Sequence, residues 1–339
     1  MTLSSHPSSP VRLGLIGSGW IGSFHAESIA RRIPGATLEA VADPQPGAAE
    51  RVAAPLGVDK TYLDTDELLA DSRVDGVVIA SPAFTHTDLV VAAARAGKAV
   101  FVEKPMALTL DDADRAISAA SAAGVPLQVG FNRRFDPDFL AAKKLVDEER
   151  VGTPQLMRSL TRDPGLADPG AVKPWTVFLE TLIHDFDTLN WFNDESEPVE
   201  VYAVADALVA PDFKDQGLLD TSSVTIRYDN GAIATAEASF SATYGYDVRG
   251  EVFGSRGMVT VGDVRTTSAR YFGPDGNSAE TTRVNVELFR QAYTDELAAF
   301  VEAVRAGAPD GPTGEDARRA LSIALACIDS YRQNRPVQL

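Results

Sequence analysis

The chain has 339 residues, with 48 Asp plus Glu against 31 Lys plus Arg and a net charge of −17. At roughly 150 residues per domain that length predicts about two domains, and the acidity disfavours phosphate backbones and anionic membranes as partners. A single cysteine, Cys327, excludes an intramolecular disulfide and a cysteine-based zinc centre.

The opening MTLSSHPSSP has neither the basic nor the apolar region of a signal peptide. Residues 1–10, His6 among them, are expected as a flexible tail. No apolar run reaches the ~18 residues of a membrane span, so a soluble, cytoplasmic protein is expected. From Val11 to Phe131 continuous apolar segments of strand length recur: VRLGLIG (11–17), LEAVAD (38–43), GVVIAS (76–81), AVFVEK (99–104) and PLQVGF (126–131). Strands buried on both faces of a parallel sheet read this way. Between them HTDLVVAAARAG (86–97) and LDDADRAISAASAAG (110–124) have helical period. Thr109 with Asp112 is a variant capping box, and Gly124 a stop. The alternation predicts a doubly wound α/β domain over residues 11–131.

Beyond about residue 150 the pattern changes. The runs at 199–209, 223–240 and 249–261 are β-type, with hairpin turns at Asp229-Asn230-Gly231 and Gly254-Ser255-Arg256-Gly257. Helical segments at 289–306 and 315–333 close the chain. Residues 132–339 are expected as an α+β domain whose open, mainly antiparallel sheet offers one face to a substrate or another subunit.

Gly17-Ser18-Gly19-Trp20-Ile21-Gly22 is a G-x-G-x-x-G after a strand and before a helix. Gly17 allows the tight turn, Gly19 the approach of a pyrophosphate, and Gly22 the packing of helix on strand. The helix N-terminus offers N–H groups to phosphates. Asp43 ends the next strand, where an acid accepts hydrogen bonds from a ribose 2′-OH and repels a 2′-phosphate. NAD is therefore expected rather than NADP. Glu103-Lys104-Pro105 closes a later strand at the carboxyl edge, where ligands bind in such sheets.

In VFLETLIHDFDTLNWF (177–192), Phe178, Leu179, Leu182, Ile183, Phe186 and Leu189 form a buried helical face. Glu180, His184, Asp187 and Trp191 fall on another stripe. Glu180 and His184 are i,i+4 neighbours, a spacing at which a carboxylate orients an imidazole and raises its basicity. A surface ion pair on an amphipathic helix has the same spacing and is its commoner meaning.

At these residues the chain resembles the Gfo/Idh/MocA oxidoreductases, and within them the inositol dehydrogenases. The resemblance spans residues 11–335 and rests on GLIGSGWIGSFH (14–25), SPAFTH (81–86), VEKPMALT (102–109), GFNRRFD (130–136), the E-x-x-x-H of 180–184 followed by DFD, and YGYD (244–247). It implies an N-terminal Rossmann domain, a C-terminal domain with an open sheet, and NAD(P)-dependent oxidation of a sugar or cyclitol hydroxyl. It places Lys104 beside the reacting oxygen and makes His184 the general acid/base, with Glu180 as its orienting partner. Ser81, Pro82, His86, Glu103 and Lys104 join the glycine loop and Asp43 as cofactor-lining residues. Arg133, Asp163 and Tyr244 match substrate contacts. Trp175 reads either as a sugar-stacking wall or as a core aromatic. The family usually has Asp where this chain has Glu180, which leaves the chemistry in place and loosens the link to one substrate. No metal site is expected.

The function expected is NAD-dependent oxidation of a cyclic polyol, myo-inositol or a relative, by a homodimer or homotetramer assembled through the open sheet. An aldose dehydrogenase, an NAD-dependent glycosidase and a non-catalytic metabolite sensor are the rival readings. Retention of both Lys104 and His184 speaks against the sensor.

Overall fold

The computed structural model describes residues 9–339. The expected tail, His6 included, lies outside the described residues except for Ser9 and Pro10. The chain divides into two compact units, one formed by the described residues up to Phe131 with Tyr293–Arg318, the other by Asn132–Ala292 with Arg319–Leu339.

The first unit holds strands β1 (Val11–Ile16), β2 (Ala36–Ala42), β3 (Thr61–Tyr62), β4 (Gly76–Ile79), β5 (Ala99–Val102) and β6 (Leu127–Val129). They form one parallel sheet in the order β3-β2-β1-β4-β5-β6. All four residues of β4 and of β5 are buried, as a sheet covered on both faces requires. The order reverses between β1 and β4, which opens a crevice at the strands' carboxyl ends. Thr109 caps helix Leu110–Ala123 as the sequence suggests, accepting the Asp112 N–H at 3.2 Å, and Gly124 ends it in the left-handed conformation.

The domain boundary needs a correction. Residues 293–318 were expected in the second domain, yet they complete the first. Helix Arg290–Ala306 puts Leu297, Phe300 and Val301 into the core beside Leu15, Ile29, Val78 and Phe101. The Phe101 and Phe300 rings lie 5.9 Å apart. Gly76 leaves room for Phe300, since a Cβ there would come within 3.3 Å of the ring.

The second unit is built on β7 (Pro154–Arg162), β8 (Pro198–Asp206), β9 (Thr221–Tyr228), β10 (Ile233–Ser239), β11 (Asp247–Gly254) and β12 (Met258–Val261). A separate hairpin follows, β13 (Arg270–Gly273) with β14 (Gly276–Ala279), and β15 (Val337–Gln338) ends the chain. The large sheet runs β12-β11-β7-β10-β9-β8-β15, antiparallel throughout except for the β7–β10 pair. Gly231 at φ +87° makes the β9–β10 turn.

Helix Ile183–Phe192 packs on one face of this sheet. The 177–192 stretch is not one α-helix: Val177–Thr181 is a π-turn, and the α-helix begins at Ile183. The Glu180–His184 spacing is therefore not a plain α-helical i,i+4 step. Nor is the second stripe a solvent face, because Asp187 is buried and pairs with Arg134 at 2.6 Å. On the opposite face of the sheet Met258, Phe253, Leu156 and Ile233 are exposed and stand side by side in register across four strands. Among the described residues no helix is long and apolar enough to cross a membrane.

Candidate cofactor and substrate sites

The loop after β1 is shaped by glycine in two different ways. Gly17 sits at φ +95°, and a Cβ there would lie 2.8 Å from the Ala80 carbonyl oxygen. A Cβ on Gly22 would run into the Gly17 carbonyl oxygen. Both are required by the protein's own packing. At Gly19 a Cβ would meet nothing within 4 Å. That glycine faces open space at the N-cap of helix Trp20–Arg31, where no side chain caps the helix. Trp20 is exposed, whereas Ile21 packs against the core.

Asp43 sits beside this loop. Its Oδ2 accepts the Ser18 N–H at 2.9 Å and the Ser18 hydroxyl at 2.7 Å, and its Oδ1 accepts the Gln45 N–H at 2.9 Å. Partial burial pushes the Asp43 carboxyl up, but these hydrogen bonds outweigh it and hold it below the usual carboxylate range. Ser18, which fixes the position of Asp43, has no signal in the sequence beyond its place beside Gly17 in the motif.

Ser81 is half-buried, and its hydroxyl bonds Thr85 Oγ1 at 2.7 Å, while Pro82 is exposed at the start of the turn Ala83–Thr85. His86 is buried, with Nδ1 2.8 Å from the Pro105 carbonyl oxygen and Nε2 2.8 Å from that of Ser81. Burial lowers its pKa against the pull of those two acceptors. It ties the loops after β4 and β5 together and presents no open ring edge. Glu103 is buried as well and bonds His25 Nε2 at 2.7 Å; it supports the β5 loop from inside. Lys104 follows, half-buried at the carboxyl end of β5.

In the second unit Arg133 is only 4% exposed. Its guanidinium donates to Asp185 Oδ1 at 2.8 Å and Thr161 Oγ1 at 2.5 Å. Asp185 also accepts from the Ser159 and Thr161 hydroxyls at 2.5 and 2.6 Å. Arg133 is thus engaged in holding the Ile183–Phe192 helix to β7. Asp185, next to His184, was missed because a charge in an amphipathic stretch reads as surface. His184 and Glu180 are both half-buried. Trp175, just before the π-turn, has φ +67°, with Tyr331 edge-on at 5.8 Å and the Arg332 guanidinium 4.8 Å over its ring. That strained backbone and its aromatic and cationic backing set the indole firmly in place. The Tyr244 hydroxyl donates to Asp247 Oδ2 at 2.7 Å. Asp163 is held by its backbone between Ser239 and Ala242 and interacts with the Tyr246 hydroxyl. Burial comes first in raising the Tyr246 pKa, with Asp163 adding to it.

Residues 11–131 match the family model for the oxidoreductase family with an NAD-binding Rossmann fold, and residues 139–260 match the GFO/IDH/MocA C-terminal domain. The chain belongs to the Gfo/Idh/MocA family. Myo-inositol 2-dehydrogenase of Thermotoga maritima is 37% identical over 331 residues, covering 97% of this chain and 98% of that one. The scyllo-inositol 2-dehydrogenase (NAD(+)) of Bacillus subtilis is 36% identical, covering 97% and 96%. Among solved structures, scyllo-inositol dehydrogenase from Lactobacillus casei with bound NAD(H) and scyllo-inositol superposes with a TM-score of 0.93 at 29% identity, covering 97% of this chain and 99% of that one.

As a Gfo/Idh/MocA protein the chain is an NAD-dependent oxidoreductase. The first unit fits that cofactor on its own geometry. Open space at Gly19 and an uncapped helix N-terminus suit a pyrophosphate, and an ionised Asp43 suits an unphosphorylated ribose.

Proposed function

We propose that the chain oxidises a ring hydroxyl of a cyclic polyol, myo-inositol or a related inositol, to the ketone. The observation that carries this reading is near-full-length similarity, across both units, to inositol dehydrogenases. Gly17, Gly19 and Gly22 with Trp20, Ile21 and Asp43 hold the dinucleotide, and Ser81, Pro82, His86 and Glu103 shape the loops beside it. When bound, NAD supplies the two-electron acceptor for the hydride that leaves the carbinol carbon. His184 takes the hydroxyl proton as that hydride leaves. Lys104 stabilises the developing alkoxide with its positive charge. Glu180 orients the imidazole. Tyr244, with its hydroxyl directed by Asp247, and Asp163 contact substrate hydroxyls, while Trp175 forms an apolar wall. Arg133 acts one step removed, by holding the helix that carries His184.

Glu180 favours a second reading. The family usually has Asp there, and one further methylene reshapes the pocket, so an aldose oxidised on the ring is the alternative substrate. Initial rates of NADH formation on myo-, scyllo- and chiro-inositol, set against glucose, xylose and galactose, test the two. The inositols are expected to win by kcat/KM; a faster aldose overturns the cyclitol assignment. Net NADH production also argues against a glycosidase, whose oxidation is transient, and its absence despite saturable binding restores the sensor.

The same reading includes a homo-oligomer. The in-register row Met258, Phe253, Leu156 and Ile233 is an exposed apolar strip, which another copy of the chain covers. Sedimentation is expected to give a dimer or tetramer, with a Leu156→Glu, Phe253→Glu double variant shifted toward monomer. A monomeric parent protein rules this out.

A further inference from the structure

Three ionisable side chains meet in the interior of the first unit. His25 and Glu296 are 0% exposed and Glu103 6%, and their ligating atoms lie within 4.8 Å of one another. His25 comes from helix Trp20–Arg31, Glu296 from helix Arg290–Ala306, and Glu103 from the end of β5. His25 Nε2 and Glu103 Oε1 form a 2.7 Å hydrogen bond, while Glu103 Oε2 accepts the backbone N–H of Lys104 at 3.2 Å. Neither carboxyl oxygen of Glu296 has a hydrogen-bond partner. The surroundings are aromatic: Phe101, Tyr293 and Phe24 stand edge-on to His25 at 5.7, 6.0 and 6.3 Å.

Two carboxylates this close, and this far from water, do not both ionise, because each charge raises the cost of the other. Glu103 has the compensating partners. Burial works to raise its pKa, but the His25 hydrogen bond, with the charges of His25 and Lys104, brings it below the ordinary value. Glu296 has burial and Glu103's charge acting in the same direction, and its carboxyl is pushed well above the usual range. A metal ion shared by these side chains would hold its ligand atoms roughly 3 Å or more apart; the His25–Glu103 hydrogen bond occupies that gap with a proton instead.

We propose that His25, Glu103 and Glu296 are positioning residues for Lys104: Glu296 keeps its proton so that Glu103 keeps its charge, and Glu103 in turn anchors the lysine. The proposal rests on the role assigned to Lys104 above. The charged and titratable groups facing the cluster are His25, Glu103 and Lys104, His86 from helix His86–Arg95, and Tyr293 on Glu296's own helix. Deprotonating Glu296 sets a second negative charge beside Glu103 and disturbs the anchor, so turnover falls on the alkaline side as that proton is lost.

The test combines infrared spectra with pH profiles of kcat. The spectrum of the parent protein minus that of Glu296→Gln is expected to contain a protonated-carboxyl C=O band at neutral pH. Glu296→Gln is expected to move the alkaline limb of kcat upward by about one pH unit or more, with KM for NAD within about twofold of the parent. Glu103→Gln is expected to lower kcat about tenfold or more, again with little change in KM for NAD. Should Glu296→Gln fail to fold, Glu296→Asp keeps a titratable proton and is expected to retain the band at a shifted frequency. No protonated-carboxyl band, superimposable pH profiles, or one tightly bound divalent metal per chain would each overturn the proposal. Lys104→Met separates the two levels. If it turns over normally, the assignment of Lys104 fails, and the infrared band still decides the state of Glu296. If it is inactive while the Glu296→Gln profile is unchanged, the positioning role fails alone.

Discussion

Ser18 gives Asp43 Oδ2 both its backbone N–H and its hydroxyl, at 2.9 and 2.7 Å, and so locks the glycine loop to the end of β2. The acid proposed to select the ribose is held in place and held ionised by the same contacts that shape the glycine loop.

Removing that acid should cost NAD more than NADP. Asp43→Ala is expected to raise KM for NAD about tenfold or more and to narrow the NAD/NADP preference, because the repulsion of a 2′-phosphate goes with it. The pH dependence follows from the lowered pKa. Asp43 stays ionised above its depressed value, so its share of NAD affinity persists to below about pH 4 and is lost only as the pH falls through that value. Titrating NAD against intrinsic tryptophan fluorescence over an acid pH series reads this directly, and loss of affinity already near pH 6 would contradict it.

The three loop glycines should separate binding from folding. Gly19→Ala meets no neighbour and is expected to change stability by less than about 0.5 kcal/mol while weakening NAD. Gly17→Ala and Gly22→Ala each drive a Cβ into backbone and are expected to lower the thermal midpoint as well. Thermal melts with and without NAD distinguish the two classes.

His184→Ala is expected to lower kcat about a hundredfold or more and to leave NAD affinity unchanged, since general-base transfer is worth about that much. Stopped-flow hydride transfer and equilibrium NAD binding measured on one preparation check it. Unchanged turnover removes His184 from the mechanism.

The Arg133–Asp185 pair should show itself in stability before it shows in KM. Both residues are buried, and Asp185→Ala leaves an unpaired guanidinium, a change expected to cost about 3–5 kcal/mol. The double variant Arg133→Met, Asp185→Leu removes both charges and is expected to recover much of that loss. Urea denaturation of single and double variants forms the cycle, and additive effects would mean that the two residues act independently.

Five of the first sheet's six strands were legible as apolar runs, since burial on both faces leaves no polar residue to interrupt β4 or β5, whereas the two-residue, half-buried β3 leaves no such run. β7 was not legible for a different reason. Its inward positions mix Met157 with Ser159 and Thr161, which serve Asp185, while Leu156 points outward, so apolar and polar residues do not alternate by face. In the 177–192 stretch the apolar period identifies Phe178, Leu179, Leu182, Ile183, Phe186 and Leu189 as the buried face, and all but the half-buried Leu179 are buried. It could not show the π-turn at Val177–Thr181, because one extra residue in a turn carries no residue signature. The burial of Asp185 and Asp187 leaves no local trace, because their partners, Arg133 and Arg134, lie about fifty residues earlier. The glycine loop and Asp43 follow from motif spacing, whereas the contact of His25 with Glu103 and Glu296 joins three distant segments and has no local trace.

The helix that carries Phe300 arrives late. Residues 11–131 supply every strand of the parallel sheet, yet the core beside Phe101 is sealed by a segment made after the whole of the second unit's large sheet except its last strand. During synthesis the nucleotide-binding half therefore waits, with part of its apolar interior uncovered, until the ribosome has passed residue 306. A fragment ending at Phe131 inherits that exposed surface permanently. A soluble stand-alone version has to splice residues 293–318 back onto it.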